Sequence, residues 1–195
     1  MRIIAGEFRG RVLLAPEGDA TRPITDRVKQ SVFDILTPHL EGASVYDCFS
    51  GTGSMGLECL SRGATRATFF DADRSALARL QKNIETLKVA DRSTVVRGDL
   101  FRWFDSAAGP NLQSPVDLIF LDPPYRFLRE MPEKLQSLAA RFVDHLCPEG
   151  LVIFRHDAKD ALDLPALQSI DRREYGSMIV NLLTTPRQRP ASPSV

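Results

Sequence analysis

The sequence is short of the residues that usually announce metal or disulfide chemistry: three cysteines, three histidines and one tryptophan among 195 residues. Cys48, Cys59 and Cys147 form no C-x-x-C pair, and their odd number argues against a secreted disulfide framework. A reducing, cytoplasmic setting fits. His39, His145 and the cysteines lack the spacing of a metal site, so no metal is expected. Net charge is missing too. With 25 basic against 25 acidic residues, the chain as a whole cannot steer toward a polyanion, although a local basic patch still can. No run approaches the ~18 apolar residues of a membrane span. Met1–Arg2 leads straight into a strand-like segment, so neither membrane insertion nor export is expected.

What is present is a 43% hydrophobic chain, long enough to bury one substantial core. Ile3–Ile4 and Val12–Leu14 are β-like runs around Gly6, Arg9, Gly10 and Arg11. They predict a small N-terminal β-hairpin that, with the following loop, forms an extension over residues 1–23. The main domain then spans 24–186. Thr25 caps a helix carrying Val28, Val32, Ile35 and Leu36 at helical spacing, and Pro38 ends it. From Ser44 the pattern alternates. Strands are predicted at Ser44–Cys48, Ala67–Asp71, Thr94–Arg97, Val116–Leu121 and Leu151–Arg155. Helices are predicted from about Ser54 to Arg62, Ser75 to Lys88, Leu100 to Phe104 and Pro132 to Leu146. Such alternation means an α/β fold, a mostly parallel sheet with helices on both faces. Ile170–Tyr175 and Met178–Thr184, joined by Gly176–Ser177, predict an antiparallel C-terminal hairpin, and 187–195 a flexible tail.

The first chemical signal is Gly51-x-Gly53-x-x-Gly56 between the first strand and its helix, where backbone can approach a ligand at a helix N-terminus. Twenty residues after Gly51 stands Asp71, placed to accept the hydroxyls of an adenosine ribose. Both NAD and S-adenosyl-L-methionine satisfy that much. Asp47 discriminates, because a carboxylate at the tip of the first strand, facing the space before the loop, repels a pyrophosphate and attracts an ammonium and a sulfonium. Its plainer reading is a loop-bracing acid. Asp99, after the third strand, either accepts from an adenine amino group or caps the next helix.

The second signal is sharper. The buried-looking strand Val116–Leu121 stops in Asp122–Pro123–Pro124–Tyr125. Two prolines hold the carbonyls rigid, Asp122 adds a carboxylate acceptor, and Tyr125 offers a flat face for a planar ring. Such a set recognises an exocyclic amine on a ring or amide. That nitrogen is a poor nucleophile until its N–H groups are accepted and it turns toward an attacking geometry. Direct transfer of a sulfonium methyl then needs chiefly positioning, with the proton leaving to Asp122 or to water.

Other residues tempt. His156 beside Asp157 resembles a base and its orienter, but neighbours on a strand point apart. The glycine loop lacks the G-x-S-x-G spacing of a nucleophile elbow. Arg2, Arg9, Arg11, Arg22, Arg27 and Lys29 crowd the first 30 residues, with Arg187 and Arg189 in the tail, and read either as a grip on a nucleic-acid backbone or as a solvated surface.

Four stretches, I-I-A-G-E-F-R-G-R, R-P-I-T-D-R-V-K-Q-S-V-F, D-C-F-S-G-T-G-S-M-G-L-E and L-D-P-P-Y, make the sequence from Ile3 to about Pro186 resemble the RsmD family of bacterial ribosomal RNA guanine-N2 methyltransferases. The last two stretches are shared by many amino-methyltransferases; the first two are more restricted. The resemblance implies a class I, Rossmann-like S-adenosylmethionine-dependent enzyme that methylates one guanine of 16S ribosomal RNA, within an assembling small-subunit particle. On matching positions it implies Asp47, Gly51, Gly53, Asp71 and Asp99 at the cofactor, and Asp122, Pro123 and Tyr125 at the target base. Arg9, Arg11, Arg22 and Arg27 are implied at the RNA. Ala5 stands where a second glycine is common, Val12 where a basic residue is usual, and Tyr125 where phenylalanine is more frequent. The rival readings are an amino-methyltransferase acting on adenine-N6 of DNA or RNA or on a protein glutamine amide, an NAD-dependent oxidoreductase, and a non-catalytic RNA-binding protein.

Overall fold

A computed structural model describes residues 1–15, 24–105 and 115–186. Its helices are α1 (Asp26–Leu36), α2 (Ser54–Ser61), α3 (Arg74–Leu87), α4 (Leu100–Asp105), α5 (Tyr125–Glu130) and α6 (Pro132–Phe142). Its strands are β1 (Ser44–Cys48), β2 (Arg66–Asp71), β3 (Ser93–Arg97), β4 (Val116–Leu121), β5 (Leu146–Asp157), β6 (Gln168–Tyr175) and β7 (Met178–Thr184). The strands form one sheet in the order β3-β2-β1-β4-β5-β7-β6. The first five run parallel, and β7 pairs antiparallel with both β5 and β6. Order reverses between β1 and β4, which places a crevice outside their carboxyl ends.

Both faces of the sheet are covered, as the alternating pattern predicts. On one face α1, α2 and α3 bury Phe33, Leu57, Leu60, Leu80 and Ile84 against Val45, Phe69, Leu118 and Phe120. On the other, α4, α5 and α6 bury Phe104, Leu128, Leu135 and Phe142 against Tyr46, Phe70, Ile119 and Phe154. The local signals are the expected ones. Thr25 Oγ1 accepts from the Val28 amide at the start of α1, and Asp73 accepts from the Ser75 and Ala76 amides at the start of α3.

Several boundaries differ from the sequence reading. The helix predicted to reach Leu146 stops at Phe142, and β5 begins at Leu146 rather than Leu151. An irregularity between Val116 and Leu118 absorbs the extra residues of β5, with Glu149 at φ 70°. The run after Pro124 turns directly into α5, a short helix the periodicity did not reveal.

The N-terminal segment is not a ladder standing ahead of the domain. It makes one bridge, Arg2 to Val12, and its apolar residues Ile3 and Leu13 enter the same core as α1 to α3. Its turn lies along α2. The amides of Ile4 and Ala5 donate to the two carboxylate oxygens of Glu58 (2.8 and 3.0 Å), and Ser61 binds Ala5, Glu7 and Phe8. Gly6, at φ 82°, approaches so closely that a Cβ would lie 1.8 Å from the Ser61 carbonyl oxygen. Glu58 also accepts from Lys29 and Arg62, and both Lys29 and Glu58 are fully buried. This corrects the sequence reading that counted Lys29 in the basic surface. The ends of the segment are tied beside the glycine loop: Lys29 Nζ donates to both the Arg2 carbonyl (3.3 Å) and Ser54 Oγ (3.1 Å), and Asn83 joins Leu14 to the Thr52 carbonyl.

Candidate active site

The register brings the two chemical signals together. Cys48 of β1 is level with Leu121 of β4, which in turn is level with Phe154 of β5. The residues that follow, Phe49, Asp122 and Arg155, therefore emerge side by side at the crevice. Phe49 leaves β1 in a left-handed conformation (φ 59°), unusual for a bulky residue and one kind of strain that collects at functional sites.

The glycine loop is shaped for both packing and access. Gly53, the residue before α2, has φ 83°, and a Cβ there would lie 2.3 Å from a Leu80 methyl. Gly51 faces open space, with no heavy atom within 4 Å of where a Cβ would stand. That is the combination a bound ligand requires, a loop locked from behind and bare in front. Asp71 stands half-buried at the tip of β2. One of its oxygens accepts from the Gly51 amide (2.7 Å), the other from the Asp73 amide (2.9 Å). It thus fixes the loop while each oxygen keeps a lone pair for a further donor.

Asp47 is not the open carboxylate expected at a strand tip. It is 2% exposed and lies beneath the loop, where Oδ2 accepts from the Gly56 amide (2.8 Å). The approach is possible because Gly56 has no side chain, whose Cβ would lie 2.4 Å from Phe69. The bracing role is therefore what the structure displays. Burial pushes its acid up to about 7, with the charges of Asp122 and Asp71 adding to the shift; the Gly56 N–H and the Lys29 charge oppose it. Asp99 is exposed and caps α4, accepting from the Phe101 amide (2.9 Å), with Arg102 3.9 Å away. Next to it an open hollow of about 240 Å³ lies at the ends of β2 and β3, lined by Phe70, Val96 and Trp103 and by the charged Arg97, Asp99 and Arg102. Its apolar floor between charged side chains can take a flat heterocycle.

Across the crevice, Pro123 is buried and Tyr125 is half-buried at the first position of α5. Asp122 is the surprise. Arg155 of β5 grips its carboxylate with two parallel hydrogen bonds, Nε to Oδ1 at 2.8 Å and Nη2 to Oδ2. Sequence reasoning treated Arg155 only as the end of a strand. The available signal was a guanidinium directly after the apolar run Leu151–Phe154, at the end of a buried strand where a charge needs a partner. His156 is buried and satisfied in the sheet, with Nδ1 at the Asp157 carbonyl (2.8 Å) and Nε2 at the Asn181 amide (3.0 Å).

Of the arginines expected at RNA, the described ones lie on two elements, Arg9 and Arg11 on the N-terminal segment and Arg27 on α1. Arg9 lies on the turn of the N-terminal segment, near Ser61 at the far end of α2, about 10 Å along that helix from the glycine loop. Arg27 is in the first turn of α1, beside the exposed Arg2–Asp26 pair. Arg9, Arg11 and Arg27 are all exposed. Arg22, Arg187 and Arg189 fall outside the described residues, as does most of the loop that ends at Pro23. Among the described residues no helix is long and apolar enough to cross a membrane.

Comparison with known proteins agrees with this geometry. A family model described as Conserved hypothetical protein 95 matches residues 1–184. The chain is 34% identical over 182 residues to Ribosomal RNA small subunit methyltransferase D of Escherichia coli K12, covering 92% of this chain and 86% of that one. The protein of the same name from Haemophilus influenzae is 39% identical over 147 residues, 75% of this chain and 70% of its own. Among solved structures, Escherichia coli yhhF, described as a candidate methyltransferase, superposes with a TM-score of 0.79 at 31% identity, covering 96% of this chain and 99% of that chain. With the model covering nearly the whole chain and the same sheet recurring in solved relatives, the chain belongs to the Conserved hypothetical protein 95, or RsmD, family.

Proposed function

We propose that this protein is a ribosomal RNA methyltransferase that transfers a methyl group from S-adenosyl-L-methionine to the exocyclic N2 of one guanine in 16S ribosomal RNA. The observation that carries the reading is the pairing of neighbouring strand tips, a bare-fronted glycine loop after β1 beside the Asp122–Tyr125 acceptor set after β4. The names of the curated relatives supply ribosomal RNA of the small subunit as substrate. An oxidoreductase is disfavoured because the second half of the sheet ends in an antiparallel hairpin rather than the parallel strands of a second nucleotide-binding unit.

Gly51 and Gly53 would bring backbone to the cofactor, Asp71 its ribose hydroxyls, and the cavity beside Asp99 its adenine. Asp47 would act from beneath, holding the first turn of α2 and supplying negative charge below the cationic end. When bound, S-adenosylmethionine supplies an electrophilic methyl on a sulfonium. The chain's part is to hold the nucleophile. Pro123, lacking an N–H, helps fix the strand-end carbonyls, Asp122 accepts one amine hydrogen, and the Tyr125 ring packs on the base. Positioning of this kind is worth up to ~7–11 kcal/mol of barrier.

The substrate is tested with labelled cofactor and purified protein against small-subunit RNA from cells lacking this activity, with DNA and total protein alongside. Label in the small-subunit RNA is expected; label confined to DNA or protein overturns the reading.

Asp47 gives a pH prediction. With its acid raised to about 7 in the fold and near 3.8 when unfolded, the native state holds a proton that the unfolded chain releases between those values. Stability therefore falls as pH rises from about 4 to about 7. Cofactor binding runs the other way: the ionised carboxylate strengthens its bond to Gly56 and attracts the cation, so affinity rises from pH 6 to pH 8. Calorimetric titration should show that rise, and Asp47→Asn should flatten it.

A further inference from the structure

We propose that Arg155 is the positioning residue of the transfer step, holding Asp122 in a fixed orientation as a hydrogen-bond acceptor. The inference rests on the methyltransferase reading and deepens it. Both oxygens of Asp122 already accept from the guanidinium, so the fork sets the plane of the carboxylate. The arrangement is enclosed: the two side chains are 22% and 14% exposed. With one lone pair of each oxygen committed to Arg155, Asp122 keeps an outer lone pair on each oxygen, held in a fixed plane, to accept an N–H of the base. The second amine hydrogen falls to a strand-end carbonyl. The proton released when the N–C bond forms and the S–C bond breaks leaves to Asp122 or to water.

A second observation adds to this geometry. The remaining nitrogen of the guanidinium, Nη1, is buried without a hydrogen-bond partner among the described residues, as is Nη2 of Arg62 beside Glu58. A buried donor left unmet is a cost that calls for an explanation such as strain, a catalytic role or a bound water. Arg155 lies within electrostatic reach of the Asp122 and Asp47 carboxyls and the Tyr125 hydroxyl, which places its guanidinium among the groups assigned to the base and the cofactor loop.

The test uses Arg155→Met, Arg155→Lys and Asp122→Asn, singly and with Arg155→Met combined with Asp122→Asn. Wild-type turnover on small-subunit RNA is the prior control, and its failure would sink the proposed function rather than this inference. For Arg155→Met a 10- to 100-fold fall in kcat is expected, with RNA KM and cofactor affinity within about threefold, in line with what small misplacements cost. Arg155→Lys should recover part of kcat. The double variant should lose little more than the worse single one, since the two residues act as one unit. Thermal unfolding of each variant checks that it is folded at the assay temperature. Unchanged kcat in folded Arg155→Met, strictly multiplicative losses in the double variant, or a loss that falls on cofactor affinity would each overturn the assignment.

Discussion

Asp122→Ala should reduce methyl transfer by roughly 10²–10³-fold, the scale on which a preorganised hydrogen-bonding group at a reacting centre is lost, while cofactor affinity changes by less than about threefold. The separation follows from geometry. Asp122 lies beyond the end of β4, whereas the loop proposed to hold the cofactor is fixed by Asp71 and Asp47 from β2 and β1. The same substitution strands Arg155 in an enclosed site, so a lower melting temperature is expected as well. Activity must therefore be read well below that temperature. Loss of cofactor binding in step with activity would mean that Asp122 belongs to the cofactor loop and that the crevice is divided differently.

The largest effect on stability is expected at Glu58. Replacing it with Ala leaves the Lys29 ammonium buried without its carboxylate and takes the acceptor from the Ile4 and Ala5 amides. Breaking a buried pair by removing one partner costs about 3–5 kcal/mol, and two stranded amides add to it. Burial alone would raise the Glu58 acid, but the Lys29 charge and its hydrogen bonds hold it below the ordinary carboxylate range. Burial pushes the Lys29 amine down from its ordinary value. Chemical denaturation measures the loss. A double change, Lys29→Met with Glu58→Leu, should recover only part of it, because the amides stay unmet; full recovery would show that Glu58 matters solely as a counter-ion.

That pair also explains why part of the molecule was legible in sequence and part was not. The mostly parallel sheet was legible in the alternation of strand-like and helical runs because β1, β2, β4 and the end of β5 are largely buried and so mostly apolar, although β3 is only partly buried. The two strand tips were legible because glycine and proline leave unmistakable backbone signatures. Lys29 and Glu58 were not: each carries a charge that composition assigns to the surface, and only the fold shows that they meet across 29 positions of sequence. Arg155 was hidden for the same reason, since its partner lies 33 residues earlier, beyond two helices. Asp47 was placed on the right strand but given too much exposure, because the loop's bend back over it depends on the bare Gly56 amide. Part of the restricted opening motif packs on α2, with Gly6 and its neighbours fitted to that helix, while Arg9 and Arg11 stay exposed.

The most direct measurement is the chemical identity of the modified nucleoside. Small-subunit RNA from cells lacking this activity is treated with purified protein and cofactor, digested to nucleosides and resolved by mass spectrometry. N2-methylguanosine at a single position is the predicted product; N6-methyladenosine, a ring-nitrogen methyl or an unmodified digest would contradict it.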